Sequence, residues 1–460
     1  MIELTLGEVA TATGGRLVGD PERRIDAVAT DSRELPEGSP LFVALRGESA
    51  DGHRYVGDVL GRGAAALVER AEDHTDVVVV DDTWQAVRGL AKLVRTRVDP
   101  TAVGITGSVG KTTVKDLTAA AVGAERRVSA ARGSFNNELG VPLTLLGLRE
   151  GDEVLVAEIG ARHVGDIADL APLVAPDVAC VTAVAGVHLE VFGSIDNVER
   201  AKRELVESLG PDGMAVLNAA DERVAAMASH APATLTVGAP GADLTAEDVR
   251  LDRSAHPTFT ARTPWGDTEV HVGVAGRHQV GNALIALAVA GHLGVDLSAA
   301  ADGLAAASVS RWRGEVTRRG GLTVINDAYN ANPTAVLGAI DTLTTLTEAG
   351  RSIAVLGEMA EIGPTSADEH RRVGGELVRR GVDQLVVVGD AASPLADGAS
   401  AEGMDPAAIV HVSDAAAAAD HLAADLRPGD VVLVKASRVA GLESVADRLL
   451  DPGTPEVAAP

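Results

Sequence analysis

Residues suited to holding phosphate stand together at Thr106-Gly107-Ser108-Val109-Gly110-Lys111-Thr112-Thr113. An apolar run, Ala102–Thr106, enters this glycine-rich turn, and a helix from Val114 to about Ala124 is predicted to leave it. Backbone N–H groups of such a turn, and of the helix start behind it, point at phosphate oxygens. The lysine adds a mobile positive charge, and a threonine hydroxyl can join the oxygen shell of Mg²⁺. The spacing G-x-x-x-x-G-K-[ST] is not met in full, because Ile105 occupies its first glycine position.

Three further residues have chemistry that depends on where the chain puts them. Glu158 ends the apolar run Val154–Ala157; a carboxylate at a strand end beside a phosphate turn could hold a metal ion, or could be a solvated terminus. His188 follows the run Val178–Val184, as a ligand or as a loop hydrogen-bonder. Lys202 falls on the apolar stripe Ile195, Val198, Leu205, Leu209 of a helix that Ser194 can cap. Such a lysine either snorkels outward or, if desolvated, becomes a neutral amine able to take up CO₂ as a carbamate. Further on, Arg311-Trp312-Arg313 precedes a strand that ends in Asn326-Asp327-Ala328-Tyr329-Asn330, an Asx-rich turn where Asp327 and Asn330 could bind a nucleotide and Arg313 could reach its phosphates.

The elements that must position these residues are short apolar strands alternating with helices. The chain has 460 residues and an aromatic content of 2 %, so its cores are expected to be built from Val, Leu, Ile and Ala in an α/β fold of three domains. The first, residues 1–98, carries strands at Leu41–Leu45 and Val77–Val80 and a helix from Thr83 to about Val98, stopped by Asp99-Pro100. The second, 99–312, is expected to hold a mostly parallel sheet with strands at Ala102–Thr106, Val154–Ala157, Val178–Val184 and Ala215–Leu217. Thr-rich antiparallel strands from about 235 to 275 are expected to be appended to that sheet. The third, 313–460, reads as a doubly wound domain with strands at Leu322–Asn326, Ser352–Leu356, Gln384–Val388 and Val431–Val434, and a frayed tail from Asp451.

A formal charge of −26 argues against a nucleic-acid partner, and the single cysteine, Cys180, excludes an intramolecular disulfide and a cysteine-rich zinc site. No signal peptide and no run long enough for membrane insertion is evident, so a cytoplasmic location is expected.

Together these motifs resemble the Mur ligase family over nearly the whole chain. The resemblance implies a small N-terminal UDP-binding domain, a central P-loop domain and a C-terminal Rossmann-like domain, using ATP and Mg²⁺. It implies phosphate contacts from Thr106 to Thr113, a metal held by Thr112, Glu158, His188 and carbamylated Lys202, and a nucleotide held by Asn282, Arg313, Asp327 and Asn330. Lys111, His188, Lys202 and Arg313 are the residues it marks as catalytic. Thr30-Asp31-Ser32-Arg33, Leu41–Gly47 and Asp51-Gly52-His53 are similar to the family's UDP-binding segments, which implies substrate contacts from Ser32, Arg33 and Arg46.

Phe135-Asn136-Asn137-Glu138-Leu139-Gly140, Asp327–Pro333 and Leu356–Gly363 resemble members that add D-Ala-D-Ala to UDP-MurNAc-tripeptide, with Asn136 and Asn137 on the substrate. A monomer is expected. The alternatives are a ligase adding lysine or diaminopimelate to the dipeptide precursor, a folylpolyglutamate synthetase, or a non-catalytic nucleotide binder. Three positions depart from the family pattern: Ala183–His188 replaces Asn-x-Gly-Pro-Ala-His, Lys435-Ala436-Ser437-Arg438 replaces Lys-Gly-Ser-Arg, and Arg203 follows Lys202 where glycine is usual.

Overall fold

The computed structural model of the chain describes residues 1–47, 50–70 and 74–451, so the expected tail lies almost wholly outside the described residues. The N-terminal sheet has five strands in the order Arg16–Val18, Val77–Val79, Ala65–Val68, Pro40–Val43 and Ala27–Ala29; only the first is antiparallel to its neighbour. The strand expected at Leu41–Leu45 ends at Val43: the Ala44 N–H still donates to the Leu67 carbonyl of the neighbouring strand, but the Leu45 N–H turns back to the Val43 carbonyl. The helix Thr83–Val98 has the bounds its end signals predict. The Asp82 carboxylate accepts from the Trp84 and Gln85 N–H groups, Asp99 closes it in the left-handed region, and Ala86, Val87, Leu90, Ala91 and Val94 form its buried stripe.

The central sheet is parallel throughout, in the order Ala233–Val237, Met214–Asn218, Val178–Val181, Thr101–Thr106, Val154–Glu158, Val128–Ala130. Successive residues face opposite sides, so Ala102, Leu155, Ala157 and Ala179 join one core while Val103, Ile105, Val156 and Cys180 join the other. Burial on both faces explains why these strands read as unbroken apolar runs.

Three further expectations are corrected in this domain. The strand Val178–Val184 ends at Val181: the Thr182 N–H still reaches the Thr106 carbonyl of the neighbouring strand, but the Ala183 carbonyl accepts from Ser108 of the phosphate turn and the Val184 N–H donates to the Asp221 carboxylate. The helix expected from Val114 begins at Lys111, directly behind Gly110. Among the described residues, the Thr-rich region meets the edge of the parallel sheet only through a single bridge between Leu244 and Val237. Only Ala233–Val237 joins it; Thr245–Leu251, Pro257–Thr263 and Gly266–His271 form a separate three-stranded antiparallel sheet. Gly238, at φ 88°, lets the chain leave the parallel sheet. The apolar face of the separate sheet (Phe259, Ala261, Val270) then packs into the core shared with the helix Gln279–His292.

The C-terminal sheet runs Glu315–Arg319, Leu322–Asn326, Val431–Lys435, Ser352–Leu356, Gln384–Val388, Ile409–Val412, parallel except for its first strand. No helix among the described residues is long and apolar enough to cross a membrane.

Candidate active site

The strand Thr101–Thr106 has Val154–Glu158 on one side and Val178–Val181 on the other, so the strand order reverses beside it. Three parallel carboxyl ends open on one crevice there, which is where doubly wound sheets take ligands. Gly107, at φ 145°, passes so close to the neighbouring segment that an added Cβ would lie 2.0 Å from the Thr182 hydroxyl oxygen. The turn is held down by that segment. The Ser108 N–H donates to the Ala183 carbonyl at 2.8 Å, the Ser108 hydroxyl bonds both backbone groups of Ala185, and the Thr182 hydroxyl donates to Val109. Asn282, held by the Gln279 side chain at 2.8 Å, covers Gly110 from the opposite side.

Lys111 folds over this turn, its ammonium donating to the Gly107 carbonyl at 2.6 Å. Burial lowers its proton affinity, nearby Glu158 opposes that, and Arg313 adds to it. Behind it Thr112 donates to Glu158 Oε2 at 2.7 Å, and the Asn136 amide donates to Oε1 at 2.6 Å. Glu158 is therefore a buried carboxylate with each oxygen engaged by a neutral donor and, among the described residues, no cation bonded to it. Ser134 connects this pair to the C-terminal region, lying 3.1 Å from the Thr112 hydroxyl and accepting from Arg313 at 2.7 Å. The Arg313 guanidinium is stacked 4.0 Å from the Tyr329 ring centre.

His188 sits in the left-handed region at φ 52°, and its Nδ1 pairs with the Glu361 carboxylate. Arg162 donates to the other Glu361 oxygen at 2.5 Å. Burial favours the neutral ring and lowers the pKa of His188 below its ordinary value, while Glu361 pulls the other way, toward the protonated ring. Ser194 caps the helix Ile195–Glu207 as its sequence suggests, and Lys202 lies on the buried stripe of that helix. Its amine has no hydrogen-bond partner among the described residues and stands 5.6 Å from the Phe192 ring centre. Desolvation first, then repulsion from Lys111, lowers its pKa to about 7, with Asp166 and Glu204 opposing. Lys202 thus does not snorkel.

From the C-terminal sheet, Lys435 reaches Asp327 at 2.5 Å and the Asn330 carbonyl at 2.9 Å. One cavity is lined by residues 108–113 together with Glu158, His188, Asn282, Arg313, Asp327 and Asn330. An adjoining one takes Gly107, Asn137, Arg162 and Lys202, and shares Lys111, Asn136 and His188 with the first. Thr106, fully buried, ends the strand behind the turn. Ser32, Arg33 and Arg46 line neither cavity. Ser32 offers its carbonyl to Arg62, Arg33 pairs with Asp31 at 2.6 Å, and Arg46 lies 3.4 Å from Glu69.

Residues 105–290 match the family model described as the Mur ligase middle domain, and residues 312–438 match that described as Mur ligase, glutamate ligase domain. A UDP-N-acetylmuramoyl-tripeptide–D-alanyl-D-alanine ligase of Mycobacterium tuberculosis is 40% identical, with 98% of each chain covered. The chain belongs to the Mur ligase family. Among solved structures, MurF from Acinetobacter baumannii is similar with a TM-score of 0.87 at 31% identity, covering 98% of this chain and 99% of that one. MurF ligase from Thermotoga maritima, solved in complex with ADP, gives a TM-score of 0.79 at 28% identity, covering 92% and 96%.

Within this Mur ligase, four residues that the sequence reading did not assign to the site help to build it: Ser134, Tyr329, Glu361 and Lys435. Lys435 carried a usable signal. It ends an apolar strand, as Glu158 does, and that strand lies beside the one leading to Asp327. Glu361 lies in the segment Leu356–Gly363, but its pairing with His188, 173 positions away, had no local signal.

Proposed function

We propose that this Mur ligase joins D-alanyl-D-alanine to UDP-MurNAc-tripeptide, cleaving ATP to ADP and phosphate, and that it works as a cytoplasmic monomer. The observation that carries the reading is end-to-end similarity to a ligase of that name combined with one crevice shared by Lys111, Glu158, His188, Asn282, Arg313 and Asp327. The alternative of a ligase adding lysine or diaminopimelate is not favoured, because relatives aligned over 98% of the chain carry the D-alanyl-D-alanine ligase name.

In this reading residues 1–98 hold the UDP end of the precursor through Ser32, Arg33 and Arg46, residues 99–312 hold the ATP phosphates, and residues 313–460 complete the nucleotide site. Asn136 and Asn137 face the peptide from the adjoining cavity. Thr112 and Glu158 supply hard oxygen donors, which suits Mg²⁺, and the buried, unpartnered Lys202 amine suits conversion to a carbamate beside His188. Mg²⁺ held there would neutralise phosphate charge and polarise the phosphoryl group.

Lys111 and Arg313 place fixed positive charge where charge builds up on the transferring group. The terminal carboxylate of the tripeptide attacks the γ-phosphorus, the bond to ADP breaks, and an acyl phosphate results. The free amine of D-Ala-D-Ala then attacks the acyl carbon, phosphate leaves with the C–O bond electrons, and the amine loses a proton. The test is phosphate release from ATP and Mg²⁺ with UDP-MurNAc-tripeptide, comparing D-Ala-D-Ala with single amino acids. Release that depends on the dipeptide is expected. Release only with lysine or diaminopimelate on the dipeptide precursor would overturn the substrate assignment.

A further inference from the structure

We propose that Asp252, His256 and His271 form a binding site for a divalent ion of borderline softness, such as Zn²⁺ or Co²⁺, on the outer face of the three-stranded sheet. One ligand-capable atom from each of the three residues lies within 4.8 Å of the other two.

Backbone register brings them together. Asp252 and His256 pair across the turn, the Asp252 N–H donating to the His256 carbonyl at 3.0 Å. His271 stands opposite Thr258, two residues beyond His256. Directly paired residues share a face and so do residues two apart, so all three side chains emerge on the same side. The other face carries Phe259, Ala261 and Val270 into the core, which fixes the orientation of the sheet.

The side chains are already arranged. The turn 252–255 is tight, with Ala255 at φ 58°. Asp252 Oδ1 accepts from the Ser254 and His256 N–H groups at 2.7 and 2.9 Å, so this carboxylate is fixed through one oxygen. Its other oxygen lies 3.8 Å from His256 Nδ1, too far for a direct hydrogen bond but close to the separation of two ligands sharing one ion at about 2.0–2.2 Å each. The two rings meet edge to face at 5.9 Å. The Thr258 hydroxyl lies 3.1 Å from His271 Nδ1; a threonine that accepts there leaves Nε2 with the free lone pair, an outer-shell arrangement common to metal-binding histidines.

Two imidazoles and one carboxylate suit Zn²⁺ or Co²⁺ better than Mg²⁺, which prefers oxygen alone. Arg318 opposes the ion: its guanidinium donates to Ser254 Oγ at 3.1 Å and to the Arg253 carbonyl at 2.6 Å. Arg318 belongs to the first strand of the C-terminal sheet, so an ion here would bear on the contact between that sheet and the turn.

The experiment titrates Co²⁺ and Zn²⁺ into the full chain with Mg²⁺ and ADP in excess, for the native protein, His256→Asn and His271→Asn. The native protein is expected to bind one equivalent of Co²⁺ more than either variant, with visible absorption assigned to that equivalent, and to gain more in Tm from Zn²⁺ than they do. Equal stoichiometry and equal Tm gains would overturn the proposal. Ligase turnover serves as the folding control. Should a histidine variant lose turnover, Asp252→Asn, which keeps the Oδ1 acceptor and removes only the charge, decides by the same readout.

Discussion

Replacing Lys202 by methionine should stabilise the protein while removing its activity. The Lys202 side chain is 1% exposed, its amine lacks a hydrogen-bond partner among the described residues, and it binds a proton at about 7 where lysine ordinarily does so at 10.5. At about 1.4 kcal/mol per decade, this disfavours the charged form in the folded state by roughly 5 kcal/mol. Between pH 7 and 10.5 the unfolded chain binds a proton that the folded chain does not, so stability rises with pH across that window. The slope from this one group is about 1.4 kcal/mol per pH unit. Methionine has a similar volume and no charge, so Lys202→Met removes both the penalty and the slope.

The assay is denaturation at pH 7, 8 and 9 in CO₂-free buffer, for native protein and variant, with ligase turnover in parallel. The expected variant is inactive, more stable than the native protein by a few kcal/mol at pH 7, and progressively less advantaged as pH rises. Bicarbonate should stabilise the native protein and leave the variant unchanged, because only a neutral amine forms a carbamate. Parallel stability–pH curves for the two proteins would refute the desolvation argument. Retained turnover would remove Lys202 from the reaction.

Gly107→Ala should abolish nucleotide binding, since its Cβ would meet the Thr182 hydroxyl at 2.0 Å in a backbone conformation that favours glycine. A fluorescent-nucleotide titration should show at least a hundredfold weaker Kd, and native affinity would sink the close-approach argument. Glu361→Gln takes away the charge shared by His188 and Arg162, and should lower kcat/KM about tenfold, the equivalent of one charge-assisted hydrogen bond. Unchanged kinetics at low salt would mean the contact is incidental. Lys435→Met leaves Asp327 without its 2.5 Å partner; because Asp327 retains 21% side-chain exposure, the expected loss is about 2 kcal/mol, less than for a fully buried pair. Equilibrium denaturation within about 0.5 kcal/mol of native would contradict this.

The sequence alone determined what local chemistry and periodicity control. Asp99-Pro100 marked the end of the helix Thr83–Val98 because end signals act within one turn. Unbroken apolar runs located the buried parallel strands, and the position of Glu158 at a strand end already indicated the crevice. The stripe containing Lys202 was legible because helical spacing is fixed at 3.6 residues per turn. Tertiary structure decided which runs pair and which side chains meet. Alternating Thr-rich strands fit an extension of the parallel sheet or a sheet of their own, and only packing against the helix Gln279–His292 selects the second. Val178–Val184 is apolar apart from Thr182, yet the strand stops at Val181 because Ala183 bonds to the phosphate turn and Val184 to Asp221. His188 with Glu361, and Asp327 with Lys435, are partners 173 and 108 positions apart. No local preference encodes such pairs, because they exist only once separate sheets have packed and brought their strand ends together.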